Sequence, residues 1–356
     1  MTKWDDKKVE KYLYALAAGD CIGVTTEFMR PQEVKSVYKL YGKLGWPFTS
    51  VGKTPFGLGV GAHSDDTDMA WAIVKAFYDK GKFDADEIAK NFADWYKSGP
   101  KDIGRHTREV LKNYVRNGDW YKASRDAFQA NPTGAANGSL MRNGVIVAFA
   151  KDFDEAMTFT FMQSIITHFN PVAVFCCLAH TWLIWKLQKN KWPFEDQDWT
   201  DSFFYDMRHW RKNLSFDYGE IFEDWALDVE RKTGKSIYAL AGPFFDAEYD
   251  HYKFNPFDGD YSKTMGYSVL SLQIAIWALR WSAEKDANFG MAPDWIPLEV
   301  FAQKENDALG WIGLLGWDSD TYGAITGPLL AAKHGHMPEY MTENLQIKGW
   351  FEKLKG

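Results

Sequence analysis

Apolar side chains recur along this chain at the three-to-four-residue spacing of one helix face. Val9, Tyr12, Leu13 and Leu16 follow a polar start. Met69, Ile73, Val74 and Phe77 follow the run Ser64-Asp65-Asp66-Thr67-Asp68, and Phe92, Trp95 and Tyr96 mark a third such stretch. This spacing buries one stripe of a helix and leaves the other face wet. Residues 145–150 read as a further helical stretch after a glycine-rich loop. Pro171–Trp185 (PVAVFCCLAHTWLIW) and Val269–Trp281 are apolar on several sides, which predicts buried helices. Pro171 suits a first turn, where its missing N–H costs nothing. A last helix is expected from Thr321 toward Gly335, a residue type that often stops helices. Strict alternation is hardly seen, so the expected class is all-α with little or no sheet.

Three stretches break the helical pattern and read as loops: residues 52–61, 132–138 and 187–263. The last is rich in Trp, Phe, Asp and Lys at irregular spacing. The 356 residues allow one large domain or two ordinary ones. No fixed-period repeat, low-complexity tract or Ser/Pro linker divides them. The economical reading is a single domain over 1–356 with an aromatic-rich insertion at about 187–263.

Composition narrows the classes of function. Apolar residues make up 46% of the chain, which excludes a disordered protein. With 41 Lys+Arg against 48 Asp+Glu the net charge is −7, so no basic surface for nucleic acid or an anionic membrane is expected. Cys21, Cys176 and Cys177 form no disulfide framework, which suits a reducing cytoplasm. The first eight residues are charged and carry no apolar leader. The longest apolar run falls short of the roughly 18–20 residues of a membrane span. A cytoplasmic monomer is expected.

The acids concentrate in two places, each ahead of a helical pattern. Ser64-Asp65-Asp66-Thr67-Asp68 and Trp317-Asp318-Ser319-Asp320-Thr321 can both be read as helix caps with solvated carboxylates. They can also be read together, as four carboxylates with hydroxyls beside them. Those are hard oxygen ligands, suited to Mg²⁺, Mn²⁺ or Ca²⁺ rather than zinc. Four carboxylates suffice for two divalent ions bridged by one Asp. Thr133–Arg142 (TGAANGSLMR) could bring backbone amides against a diphosphate, or could be a plain turn; it lacks the Gly-Lys-Ser/Thr ending of a Walker A loop. Asp102 before Ile103-Gly104 and His168 before Phe169-Asn170-Pro171 could be structural or functional. Glu27 is a further oxygen donor or a surface acid.

Taken in order, these motifs resemble the ADP-ribosylglycohydrolase family, which includes ADP-ribosylarginine hydrolases and dinitrogenase-reductase-activating glycohydrolases. The matching segments are Gly19-Asp20-x-x-Gly23 with Glu27, Ser64–Met69, Asp102–Gly104, Asn137–Arg142, Thr167–Pro171, Gly266-Tyr267 and Asp318–Gly335. The resemblance implies an all-α orthogonal helical bundle with a two-metal cleft. It implies Mg²⁺ or Mn²⁺ ligands at Ser64, Asp65, Asp66, Asp318, Asp320 and Thr321. It further implies hydrolysis of the bond between ADP-ribose and an acceptor on a protein or small molecule, arginine foremost, with ADP-ribose as product. Asp66, Asp102 and Glu27 are the catalytic candidates, with Asp66 as general base and Asp102 toward the acceptor guanidine. Asn137, Gly138, Ser139, His168 and Tyr267 are the substrate-binding candidates. Serine, nucleic-acid or small-molecule conjugates are the alternative substrates. The alternative classes are a metal-dependent nucleotide phosphohydrolase, a non-catalytic ADP-ribose-binding protein and a purely structural helical protein. The chain departs from the family pattern at Trp317, where Gly is usual, at Ala331, and at Pro328, which should kink the last helix or remove a hydrogen bond.

Overall fold

The helices start where short polar side chains can satisfy the free amides of a first turn. The computed structural model describes residues 4–41, 57–195, 199–245, 254–283 and 307–355. Residues 52–56, 196–198 and 246–253 of the stretches read as loops lie outside the described residues. Asp5 accepts from the amides of Lys7 and Lys8 and caps the helix Asp6–Gly23. Ser64 caps Asp65–Lys80, Asp84 caps Ala85–Lys97, and Asn170 caps Pro171–Gln188. Each such cap contributes about 1 kcal/mol. Among the described residues there is no strand, only one isolated antiparallel bridge between Ala136 and Tyr267. No helix of the described residues is long and apolar enough to cross a membrane.

Pro171–Gln188, Ser268–Ala283 and Ser319–His334 are buried over most of their circumference and make the centre of the bundle. Ser319–His334 packs on both of the others and on Asp6–Gly23. The last pairing is backbone against backbone. A Cβ placed on Gly323 would lie 2.2 Å from the Gly19 carbonyl oxygen, and one on Gly327 would lie 1.9 Å from that of Ala15. A Cβ on Gly23 would lie 2.2 Å from the Ser319 carbonyl oxygen. No larger residue fits this crossing, and the crossing sets Asp20 of one helix beside Asp320 of the other.

Pro328 lies within Ser319–His334 and cannot donate to the carbonyl four residues before it. Its ring fills the space over Gly144, where a Cβ would meet Pro328 Cγ at 2.3 Å. One residue on, the Ile325 carbonyl accepts from His180 Nε2 at 2.8 Å. His180 Nδ1 in turn accepts from the Asn143 amide at 3.2 Å. Both ring nitrogens are thus engaged in the neutral form, and burial lowers the His180 pKa to about 4. Below the usual pKa near 6.5 the unfolded chain takes up a proton that the folded one refuses, so stability falls with pH in that window. Between pH 7 and pH 5 the loss due to this group should be about 2 kcal/mol. Denaturant titrations should show stability falling less between pH 7 and pH 5 in His180→Gln than in the unsubstituted protein, by about that amount; equal slopes would contradict it.

Two sequence expectations are corrected. The stretch 187–263 is not a loop: it holds the helices Trp199–Asn213, Phe216–Thr233 and Ile237–Ala241. Phe203, Met207 and Trp210, then Phe222, Trp225 and Val229, are its buried faces at helical spacing. The charged residues between them hid that periodicity. Trp225 donates to the Phe169 carbonyl at 2.8 Å and Trp210 to the Thr158 hydroxyl at 3.0 Å, so the aromatics anchor these helices on the bundle. Residues 143–148 form a 3₁₀ helix rather than an α-helix, pressed where Gly144 meets Pro328. The three cysteines are free and buried.

Candidate active site

The first turn of Asp65–Lys80 carries three acids with three different surroundings. Asp68 turns away: it accepts from Trp95 Nε1 at 3.0 Å and pairs with His63 at 3.0 Å. Asp65 lines a cavity and accepts from the Gly104 amide at 3.2 Å. Asp66 is fully buried. Its Oδ2 accepts from the Ser64 hydroxyl at 2.7 Å, and Thr321 Oγ1 lies 3.5 Å from the same oxygen. Asp66 Oδ1 has no hydrogen-bond partner.

Asp20 is a site residue that sequence reasoning quoted only as part of a motif. Its two oxygens accept from the Ser64 amide at 3.0 and 3.1 Å and from the Thr67 amide and hydroxyl at 3.1 and 2.6 Å. It therefore caps the Asp65–Lys80 helix from another part of the chain and holds its first turn against the Gly19–Gly323 crossing. The available signal was its place between Gly19 and Gly23, the residues of closest helix approach.

Carboxylate oxygens of Asp20, Asp66 and Asp320 lie within 4.8 Å of one another, and so do those of Glu27, Asp318 and Asp320. Asp320 belongs to both triplets. Asp318 accepts from Asn137 Nδ2 at 2.6 Å. Glu27 Oε2 and Asp320 Oδ1 are buried without a partner, like Asp66 Oδ1. Burial first, then neighbouring carboxylates, pushes the pKa values of Glu27, Asp66 and Asp320 up. Asp318 is pushed up to about 7, mainly by burial. Several buried carboxylates with bare oxygens are a costly arrangement unless a cation compensates. An all-oxygen donor set of this kind fits a divalent ion such as Mg²⁺, Mn²⁺ or Ca²⁺.

Glu27 is held beside Asp318 by a strained pair of residues. Phe28 and Trp317 both have left-handed backbones, with φ of 61° and 59°. The Trp317 amide donates to the Met29 carbonyl at 2.9 Å, and the Phe28 amide donates to the Trp317 carbonyl. A positive φ at 317 is the physical reason that glycine suits this position, and Trp317 occupies it at a cost of order 1–3 kcal/mol. Its ring is buried at 6.4 Å from that of Tyr261.

The cavity in front of these acids has a volume of about 670 Å³. Glu27, Asp65, Asp102, Asn137, Gly138, His168, Tyr267, Asp318, Asp320 and Thr321 of the predicted residues line it. Ser64, Asp66 and Ser139 do not. Ser64 and Asp66 stand behind the wall, and Ser139 accepts from the Ser164 hydroxyl at 2.9 Å in the core. Asp102 is pushed up to about 6, chiefly by burial and then by the charge of Asp20. Arg142 is not at the cavity. It lies buried under the glycine loop, donating to the Gly138 and Gln163 carbonyls, each at 3.1 Å.

The model of the family described as ADP-ribosylglycohydrolase matches residues 2–356. The chain belongs to the ADP-ribosylglycohydrolase family. It is 25% identical over 321 residues to the L543 protein of Acanthamoeba polyphaga mimivirus, provisionally named an ADP-ribosyl glycohydrolase, over 88% of this chain and 83% of that one. It is 32% identical over 173 residues to the ADP-ribosylarginine hydrolase Tri1 of Pseudomonas putida, covering 46% of this chain and 42% of that one. It is 30% identical over 167 residues to the ADP-ribosyl-[dinitrogen reductase] glycohydrolase of Rhodospirillum rubrum, covering 46% and 52%. These last two matches span about half of each relative. A solved ADP-ribosylglycohydrolase-related protein complex shares the fold, with a TM-score of 0.61, 20% identity and coverage of 98% and 95%. This ADP-ribosylglycohydrolase is thus an enzyme of all-α fold whose acids form clusters able to hold a divalent metal.

Proposed function

We propose that this glycohydrolase removes ADP-ribose from arginine side chains, using a binuclear Mg²⁺ or Mn²⁺ centre. The observation that carries this reading is Asp320, whose oxygens stand in two carboxylate triplets at once. Asp20, Asp66 and Asp320 would hold one ion, and Glu27, Asp318 and Asp320 the other; Asp65, Ser64 and Thr321 support the same region. When bound, the ions supply charge compensation and Lewis-acid polarisation next to the sugar.

The chain's own groups account for the rest. Asp102 carries a proton up to about pH 6 and lines the cavity near Asp65. It would donate to the departing guanidine nitrogen as the bond from the ribose anomeric carbon breaks. A water adds to that carbon and gives its proton to a carboxylate. Asp66 stands behind the wall, so that role would fall to Glu27, which lines the cavity, through the carboxylate oxygen that does not hold the ion. Amides of the Thr133–Gly138 loop would face the diphosphate, and Tyr267 would pack against the nucleotide.

The test is a panel of arginine-, serine- and nucleic-acid-linked ADP-ribose substrates with products read by mass spectrometry. Release from the arginine-linked substrate alone is expected, and Asp102→Asn should slow it by about 10²–10⁴-fold. Faster release from another linkage would replace arginine as the acceptor. Phosphate release without free ADP-ribose would favour a phosphohydrolase instead.

A further inference from the structure

His168 sits at the cavity wall, buried, with Nε2 lacking any hydrogen-bond partner. Its other ring nitrogen is tied into a chain of hydrogen bonds whose direction can be deduced. Arg142 Nη2 lies 2.7 Å from Thr167 Oγ1, and Thr167 Oγ1 lies 2.8 Å from His168 Nδ1. An arginine only donates, so the Thr167 oxygen must accept from it. The hydroxyl has one proton left to give, and His168 Nδ1 is the acceptor facing it. If Nδ1 instead carried the proton, the buried Thr167 hydroxyl would hold a proton with no acceptor, an arrangement folded proteins avoid. Nδ1 therefore accepts, and the ring proton belongs on Nε2.

Arg142 is itself held rigidly. Its Nε donates to Gln163 Oε1 at 3.0 Å, and the remaining guanidinium protons reach the Gly138 carbonyl, the Gln163 carbonyl and Met69 Sδ. The guanidinium also lies 4.3 Å from the centre of the Phe92 ring. His106, whose ring centre is 4.6 Å from that of His168, spends its own Nε2 proton on the Thr167 carbonyl at 2.9 Å. It makes no hydrogen bond to His168 Nε2. Gly138 leaves room beside that nitrogen, since a Cβ there would lie 3.0 Å from both His168 Nε2 and Thr107 Oγ1.

We propose that Arg142 and Thr167 are positioning residues that lock His168 as its Nε2–H tautomer, so that the cavity presents a fixed hydrogen-bond donor to an acceptor oxygen of the substrate. His168 is then a donor rather than a base. The buried Arg142 acts on the ligand through two intervening groups without touching it. The inference rests on the proposed function only for the identity of the ligand.

The ring proton can be located in the free protein. In protein labelled with ¹⁵N-histidine, long-range ¹H–¹⁵N correlation spectra at pH 7 distinguish the two tautomers. The signals of His168 are those lost in His168→Gln. Wild type should show a protonated Nε2 and an unprotonated Nδ1. Thr167→Ser should keep that pattern, and Thr167→Val should lose it. Calorimetry with ADP-ribose and Mg²⁺ should then show binding weakened about tenfold in Thr167→Val and changed less than about threefold in Thr167→Ser. A wild-type spectrum with Nδ1 protonated overturns the proposal, as does an unchanged pattern in Thr167→Val. If the valine variant does not fold, the wild-type and serine spectra still decide. A protein with the Nε2–H pattern that fails to release ADP-ribose would overturn the proposed activity and leave this inference standing.

Discussion

Asp320→Asn should abolish release of ADP-ribose while raising the stability of the metal-free protein. Asp320 supplies an oxygen to both carboxylate triplets, so neutralising it weakens both at once. A loss of about 4 kcal/mol of transition-state stabilisation corresponds to roughly 10³-fold in rate, and at least that is expected. The same charge is a liability without a cation. Asp320 is buried, and the charges of Asp318 and Asp20 add to the burial that drives its pKa up. Removing it relieves repulsion, so thermal melts in EDTA should place Asp320→Asn above wild type. Adding Mg²⁺ should reverse the order, because a ligand at 100 times its Kd stabilises by about 2.7 kcal/mol and the variant has lost the site. EDTA should silence the wild-type enzyme with its helical circular dichroism largely intact. Full activity in EDTA would sink the two-metal reading.

Gly323→Ala should cost the protein about 3 kcal/mol or more, with the metal response going with it. The new methyl would lie 2.2 Å from the Gly19 carbonyl oxygen. Backbone cannot rotate out of the way as a side chain can, so the helices Asp6–Gly23 and Ser319–His334 must separate. Overpacking usually costs about 1–3 kcal/mol, and a backbone-to-backbone clash belongs at or beyond the upper end. Separation also draws Asp20 away from Asp320, so the rise in melting temperature with Mg²⁺ should shrink or vanish. Gly219→Ala is the control. Gly219 lies inside the helix Phe216–Thr233 with nothing within 4 Å of an added Cβ. There alanine should stabilise by about 0.5–1 kcal/mol. Denaturant midpoints and m-values measure both. A Gly323→Ala protein with a wild-type midpoint would mean that the crossing is looser than its geometry implies.

The helices and their starts were legible because their causes are local. A cap such as Asp5 or Asn170 acts within a few residues, and a buried stripe such as Met69, Ile73 and Phe77 needs only its own spacing. The two acid motifs were legible as oxygen-donor runs for the same reason, and the family resemblance placed them in a cleft. The helices of residues 199–245 were missed because their buried aromatics alternate with charged side chains, although Phe203, Met207 and Trp210 keep the helical period.

What only the tertiary structure decided is which members of these motifs meet. Asp20 and Asp320 are 300 positions apart, and their meeting depends on Gly19 and Gly323 letting two backbones touch, a steric fact that no local pattern encodes. Asp68 looks like its neighbours in sequence but is taken by His63 and Trp95, while Ser139 is drawn into the core beside Ser164. Arg142 reads as part of a loop motif, yet its guanidinium is buried under that loop and dictates where the proton of His168 resides. Sequence specifies the donor atoms, because residue type sets chemistry. Their partners and the directions of their hydrogen bonds are set by packing across the bundle.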